Sequence, residues 1–265
     1  MQNQTSPLIL TFGCADPIGA IGVHADQASF AAMGCFALSV TTSILIGDTA
    51  KIEDVQEIDA DWVADQARVI LEDMPVVAFK VGAINNIETL SVIAEIVSDY
   101  PESPLILDPF ASSMPDQDQD TEDMFIALRE ILIPQSTLLM LSAVELTRLA
   151  ETWRDPSTEN LIELDAMHLI ELGCAHVLVT GFPSDLHDIT NTLFGESGVI
   201  RQDHWQRIPG SFVGAGNTLS AAIAALIATG HDIPEAVLQA QEFTATTLAK
   251  AQRLGMGKLL PNRHF

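Results

Sequence analysis

The chain predicts an α/β protein in three layers, a mostly parallel sheet with helices packed on both faces. Two observations carry that expectation. Short apolar runs alternate along the chain with longer segments of helical period. The runs are also nearly continuous in apolar character, as strands covered on both sides require, whereas half-exposed strands alternate with polar residues. In order, residues 7–13 (PLILTFG) read as a buried strand ending in a glycine turn, 25–33 as helix, and 36–46, rich in Val, Thr and Ile, as strand. Residues 60–73 are helical by period, 76–82 (VVAFKVG) form a strand, 87–98 a helix, and 105–108 (LILD) a strand closed by Pro109. Helix over 124–132, strand over 137–141, helices over 143–151 and 161–172 and a strand over 176–180 follow. Residues 192–194 and 199–208 suggest an antiparallel excursion, and helices over 217–229 and 233–254 finish the chain. No internal repeat and no Pro-, Gly- or Ser-rich linker marks a boundary, so residues 1–265 are read as one domain, within reach of a single core. In sheets of this kind ligands gather at the carboxyl ends of the strands.

Charge narrows the partners. With 36 acidic and 12 basic residues the formal net charge is −24, and only four residues are lysine. Duplex binding needs several cations on phosphates, so nucleic acid is excluded as a partner, and anionic membranes are disfavoured for the same reason. A phosphorylated ligand would therefore have to be held largely by backbone amides and helix ends. Cys14, Cys35 and Cys174 are odd in number and widely spaced, which suggests neither a disulfide framework nor a zinc site. The N-terminus lacks a basic n-region and no run reaches about 18 consecutive apolar residues. A cytoplasmic protein with reduced thiols is expected. The acidic run at 116–123 reads as a lid or divalent-cation loop, or as a solvated loop placing acidic residues near a helix N-terminus; it lacks the glycine and terminal Glu of an EF-hand.

Five segments carry candidate chemistry. Val213-Gly-Ala-Gly-Asn-Thr-Leu-Ser220 runs straight into a buried helix, so consecutive N–H groups at Gly214, Ala215 and Gly216 can converge on an anion at the positive helix end; the plain alternative is a glycine turn with Asn217 as N-cap. Gly13-Cys-Ala-Asp-Pro-Ile-Gly-Ala-Ile-Gly-Val-His-Ala-Asp26 follows the first strand and suggests a substrate-side loop, its carboxylates accepting hydrogen bonds. Lys80 precedes Gly82 at a strand end, Asp108-Pro109 offers a carboxylate able to orient Mg²⁺ or its waters, and Glu145 lies in the turn after the 137–141 strand.

Together these segments resemble the ribokinase-like superfamily, and within it the hydroxymethylpyrimidine and phosphomethylpyrimidine kinases of thiamine biosynthesis. The family's opening loop G-T-D-P-S-G-G-A-G-I-Q-A-D stands here as G-C-A-D-P-I-G-A-I-G-V-H-A-D, with one extra residue before Asp16. Family K-I-G-M-L corresponds to Lys80-Val-Gly-Ala-Ile84, L-D-P-V-M to Leu107-Asp-Pro-Phe-Ala111, T-P-N-x-x-E to Met140-Leu-Ser-Ala-Val-Glu145, and G-T-G-C-T-L-S-A-A to Gly214-Ala-Gly-Asn-Thr-Leu-Ser-Ala-Ala222. The order is collinear from about residue 7 to residue 255.

The resemblance implies an ATP- and Mg²⁺-dependent kinase acting on hydroxymethylpyrimidine and its monophosphate, and a homodimer. By it, Gly214, Ala215 and Gly216 offer amides to the transferring phosphoryl group, and Asn217 occupies the base position. Glu145 and Asp108 hold Mg²⁺ through water. Asp26 contacts the substrate beside Ile21, Gly47, Ala83 and Phe110, while Ser142, Thr180 and Lys80 fall on the nucleotide side. Several of these depart from the family. Asn217 replaces a Cys, or the Asp of the wider superfamily, and a neutral amide is no base near pH 7. Gly47 stands at the pyrimidine-reading Gln, Thr180 at a phosphate-side Lys and Ser142 at the Asn of T-P-N. Ile21 and Phe110 replace small residues, and Ala83 a Met. Two further readings follow from those departures: a degenerate paralogue that binds a small molecule or partner without catalysis, and a kinase with an altered substrate.

Overall fold

A computed structural model describes residues 6–110, 119–155, 161–183 and 188–264. Among these, strands β1 (Leu8–Ala15), β2 (Phe36–Gly47), β3 (Ile52–Glu57), β4 (Val76–Val81), β5 (Leu105–Leu107), β6 (Leu138–Ser142), β7 (Val177–Pro183), β8 (Asp188–Gly195) and β9 (Gly198–Gln206) form one sheet in the order β3-β2-β1-β4-β5-β6-β7-β8-β9. The run β2-β1-β4-β5-β6-β7 is parallel; β3 at one edge and β8 and β9 at the other are antiparallel. Helices are α1 (Gly22–Ala32), α2 (Ala60–Asp73), α3 (Ile87–Ser98), α4 (Gln119–Ala127), α5 (Ala143–Ala150), α6 (Ile162–Glu171), α7 (Ala215–Ala228) and α8 (Ile233–Ala249).

Strict alternation along the parallel strands divides the interior. Phe12, Val40, Phe79, Leu107, Leu139 and Val179 face the layer built by α2, α3, α4, α5 and α6. Their neighbours Ile9, Ala78, Ile106, Leu138, Met140 and Leu178 face α1, α7 and α8. Each fully buried large apolar side chain contributes ~1.5–3 kcal/mol, so both faces are strongly fixed. The three-layer expectation is met.

Several boundaries differ from the sequence reading: α1 starts at Gly22 rather than 25, and β8 spans Asp188–Gly195 rather than 192–194. Strand β3 was not foreseen, because its IEDVQE carries an edge strand's charge and exposure. The helix expected over 124–132 starts at Gln119 and ends in a π turn, Leu128–Leu132. Helix α8 stops at Ala249, five residues short of 254, and the chain beyond it turns back so that Leu260 pairs with Gln252 and Leu259 with Phe212. Residues 116–118 of the acidic run lie outside the described residues, while 119–123 open α4. The three cysteines are free and buried. Among the described residues no helix is long and apolar enough to cross a membrane.

Candidate active site

The carboxyl ends of β1, β4, β5 and β6 and the amino end of α7 meet at one place. Parallel pairing of β1 and β4 sets Thr11 opposite Lys80, so both side chains reach the same face and the same partner on α1. Lys80 Nζ lies 2.9 and 3.0 Å from the two oxygens of Asp26, and Thr11 Oγ1 donates to Asp26 at 2.7 Å. All three are fully buried. Asp26 was expected to contact substrate and Lys80 to serve the nucleotide; in the structure the two side chains bind each other.

Above that pair sits Asn217, in the first turn of α7. The groups facing its carboxamide are donors, which fixes the amide orientation: its oxygen accepts from Lys80 Nζ at 3.2 Å and from the Gly22 N–H at 3.3 Å. Gly22 opens α1, whose N-cap residue Ile21 offers no side-chain cap, so Asn217 satisfies an amide that the helix leaves unpaired. Only glycine fits at 22: its φ is +64° and a Cβ would fall 2.0 Å from the Cys14 carbonyl oxygen. Asn217, a neutral side chain, thus ties β4, α1 and α7 together. Nor is the neighbouring Cys14 a base near pH 7. Burial, then the Asp16 charge, push its thiol up to about 12.

Helix α7 begins without a side-chain cap. Gly214 holds φ +84°, and a Cβ there would come within 1.8 Å of the Ala20 carbonyl oxygen. The loop 214–216 is therefore pressed onto the loop after β1, and the amides of Ala215 and Gly216, half-buried and exposed, belong to the set without intrahelical acceptors. Asp16 closes the opposing loop, its carboxylate accepting from the N–H groups of Ile18, Ala20 and Ile21 at 3.1, 2.8 and 3.0 Å. A buried arginine that sequence reasoning missed, Arg263 in the C-terminal tail, bridges both loops.

Asp108 closes β5, its N–H bonded to the Val81 carbonyl at 2.9 Å. Ser220, one turn into α7, donates to its carboxylate at 2.7 Å. Burial pushes the Asp108 carboxyl up to about 6, opposed by Lys80 and Ser220 and reinforced by Glu145 and Asp26. Glu145 and Ser142 form a capping box at the start of α5: Ser142 N–H donates to Glu145 at 2.6 Å and Glu145 N–H to Ser142 Oγ at 3.2 Å. Among the described residues no cluster of three or more His, Cys, Asp or Glu could by itself hold a metal. Two hard carboxylates close enough to influence one another do fit Mg²⁺, which is commonly held by one or two carboxylates plus substrate phosphates.

Two cavities flank the amino end of α7. Bridge pairing of Phe212 with Leu259 makes 212–213 locally strand-like, so consecutive side chains diverge. Val213 lines one cavity, about 180 Å³, with Asp16, Ile21, Leu45 and Gly47. Phe212 lines the other, about 390 Å³, with Ile189, Asn191, Trp205, Leu219 and Gln241. Of the residues assigned to substrate, Ile21 and Gly47 thus share a wall. Ala83 and Phe110 line neither cavity; Phe110 packs edge-on against Phe125 of α4, centroids 5.2 Å apart. The larger cavity is framed by Gln241 on α8, which accepts from Asn191 and Trp205 at 2.7 and 2.8 Å and donates to Asp203 at 2.8 Å. Asn191 in turn accepts from the Gly181 N–H at 2.9 Å, beside Thr180, which is half-buried and lies 3.4 Å from the Leu141 carbonyl. Sequence reasoning found none of this wall. The hairpin was legible, but nothing local marks a glutamine 50 residues away as its partner.

Sheet order, glycine-opened α7 and flanking cavities together define the ribokinase-like class of fold. The sequence profile described as phosphomethylpyrimidine kinase matches residues 16–262, and the chain belongs to that family. A hydroxymethylpyrimidine/phosphomethylpyrimidine kinase of Escherichia coli K12 is 27% identical over 257 residues, 97% of this chain and 96% of that protein. The Bacillus subtilis pyridoxal kinase solved as an ADP complex shares the fold with a TM-score of 0.84 at 22% identity, each chain covered to 97%. A phosphomethylpyrimidine kinase structure from Clostridium difficile 630 superposes with a TM-score of 0.75 at 23% identity, covering 91% of this chain and 98% of that one.

Proposed function

We propose that the protein transfers a phosphoryl group from ATP to a small hydroxymethylpyrimidine-like substrate. The single observation that carries the reading is the pair of cavities on either side of the uncapped α7 terminus. The smaller suits one heteroaromatic ring. The larger, walled by Trp205 and Phe212, suits a nucleobase, with the phosphates running toward Gly214, Ala215 and Gly216. In the reaction the substrate hydroxyl oxygen bonds to the γ-phosphorus as the β–γ bridging P–O bond breaks, and the hydroxyl proton leaves to water or to the transferred phosphoryl group. Amides aimed at the developing charge supply the stabilisation. Asn217 orients but takes no proton, and the loose transition state of phosphoryl transfer tolerates that at a reduced rate. Asp108 and the free oxygen of Glu145 would hold Mg²⁺, which neutralises phosphate charge when bound. We read residues 1–265 as one domain and, from the family, as a homodimer working in the cytoplasm, where ATP is supplied.

Family membership and the cavities support this reading; Asn217 and Thr180 favour a second one, a binding protein without turnover, because neither a base nor a phosphate-side lysine stands at those positions. An ATP-dependent assay with hydroxymethylpyrimidine and its monophosphate separates them, paired with thermal-shift titration, since ligands that bind the native state raise its midpoint. Product above background is the expected result. A midpoint rise without product favours the binding protein, and neither signal sinks both.

A further inference from the structure

Arg263 is the third residue from the end of the sequence, only 5% exposed. Its guanidinium makes four hydrogen bonds: Nε to Thr218 Oγ1 at 2.9 Å, Nη1 to the Gly19 carbonyl at 3.0 Å, and Nη2 to the carbonyls of Ala20 at 2.7 Å and Gly214 at 3.2 Å. The Gly214 oxygen also accepts from the N–H and Oγ1 of Thr218. That carbonyl shares its peptide unit with the Ala215 N–H. In a trans peptide the two groups point in opposite directions, and no cis bond occurs among the described residues. A cation bonded to the carbonyl therefore fixes the plane so that the Ala215 N–H points away from it. It also polarises that N–H into a stronger donor.

We propose that Arg263 is the positioning residue of the phosphate-binding loop: from the C-terminal tail it clamps the Gly214 carbonyl against the Gly19–Ala20 carbonyls and sets the Ala215 amide for a polyphosphate. The inference rests on reading 214–216 as the anion site. It also answers how so acidic a chain holds an anion once Lys80 is committed to Asp26. The guanidinium stays charged at neutral pH although burial lowers its pKa to about 10, with Asp26 and Asp16 acting against that fall. Only an arginine has the planar fork to reach three carbonyls and a hydroxyl at once. The tail is held in place by Leu259 against Phe212 and by the Asn262 N–H on the Thr247 carbonyl.

The test measures binding of inorganic tripolyphosphate by calorimetry, separately from turnover. Arg263→Gln is expected to weaken tripolyphosphate at least tenfold while melting cooperatively. Arg263→Lys, which keeps charge without the fork, should fall between that variant and wild type, and ethylguanidinium should restore binding and kcat/KM to Arg263→Ala. Tripolyphosphate binding by Arg263→Gln within twofold of wild type overturns the proposal, as does wild type that binds none. If the glutamine variant does not fold, the ¹⁵N spectrum of wild type decides. The Arg263 Nε–H and Ala215 N–H resonances should shift together on titration, saturating at the same tripolyphosphate concentration. An Arg263 signal that stays still while Ala215 moves overturns the clamp. Wild type that binds tripolyphosphate in this manner but transfers nothing from ATP sinks the kinase reading alone and leaves the clamp supported.

Discussion

Lys80 and Asp26 form a fully buried ion pair, Nζ within 2.9 and 3.0 Å of both carboxylate oxygens, with Thr11 and Asn217 completing their hydrogen bonds. A buried pair gains its value from completeness: removing one partner leaves an uncompensated charge in the interior. The pair fastens α1 to β4 and holds Asn217 of α7, so its loss reaches stability and site geometry together.

Lys80→Met and Asp26→Asn should each destabilise the protein by about 3–5 kcal/mol in urea unfolding. The double variant Lys80→Met/Asp26→Leu should recover a large part of that loss. Single variants within about 1 kcal/mol of wild type would show that the pair does not anchor α1.

Restoring a base at position 217 should raise turnover. In Asn217→Asp the carboxylate keeps both donors, Lys80 Nζ and the Gly22 N–H, and ATP-dependent phosphorylation of hydroxymethylpyrimidine should rise by about 10²- to 10⁴-fold. Asn217→Cys, which places an ionisable thiol there, should also raise it. If neither variant turns over faster while hydroxymethylpyrimidine or ATP raises the melting midpoint, the binding-protein reading gains.

The Asp108 carboxyl, pushed up to about 6 chiefly by burial, sets a pH dependence with a defined sign. Its folded pKa lies above the ordinary value, so the folded state binds the proton more tightly than the unfolded chain. Keeping Asp108 ionised therefore lowers stability at pH 7, and that penalty disappears as the pH falls through 6 toward 4. Asp108→Asn should stabilise the protein at pH 7 by on the order of 3 kcal/mol and make little difference near pH 4, measured by urea unfolding at both values. Activity should instead climb through pH 6, because the ionised carboxylate is the Mg²⁺-compatible form, and should drop in the variant. A stability difference equal at both pH values contradicts the assignment.

Gly47 cannot simply be returned to the family's glutamine. A Cβ at this position meets the Lys51 carbonyl oxygen at 3.0 Å and Ile52 Cα at 3.2 Å, both in backbone. Gly47→Gln should cost about 1–3 kcal/mol in thermal or chemical unfolding as the turn between β2 and β3 shifts, without a gain in affinity for hydroxymethylpyrimidine. A tighter-binding Gly47→Gln at unchanged stability would mean that the turn yields freely and the pocket still accepts the family's contact.

Much of the fold could be read locally. The continuous apolar runs became the parallel strands, and helices 60–73 and 87–98 have the bounds their period implies. Strand β3 escaped because an exposed edge strand shows no apolar signal, and the early end of α8 escaped because its apolar period continues past Ala249. Within the site, the glycine loop before α7 and the strand-end positions of Lys80 and Asp108 were legible, since turns and strand ends have local signatures.

By itself, then, the sequence determined the sheet with its two helical layers, the family, and the place where a phosphate would have to be met by backbone amides. Periodicity, glycine spacing and scarcity of cations are properties of the chain alone. Only the tertiary structure decided which side chains face a ligand and which face each other. Lys80 meets Asp26 across 54 residues, Gln241 meets Asn191 across 50, and Arg263 meets Gly19 across 244. Such pairings arise from strand register and from the path of the tail, which bring distant donors and acceptors into one desolvated place where each must find a partner.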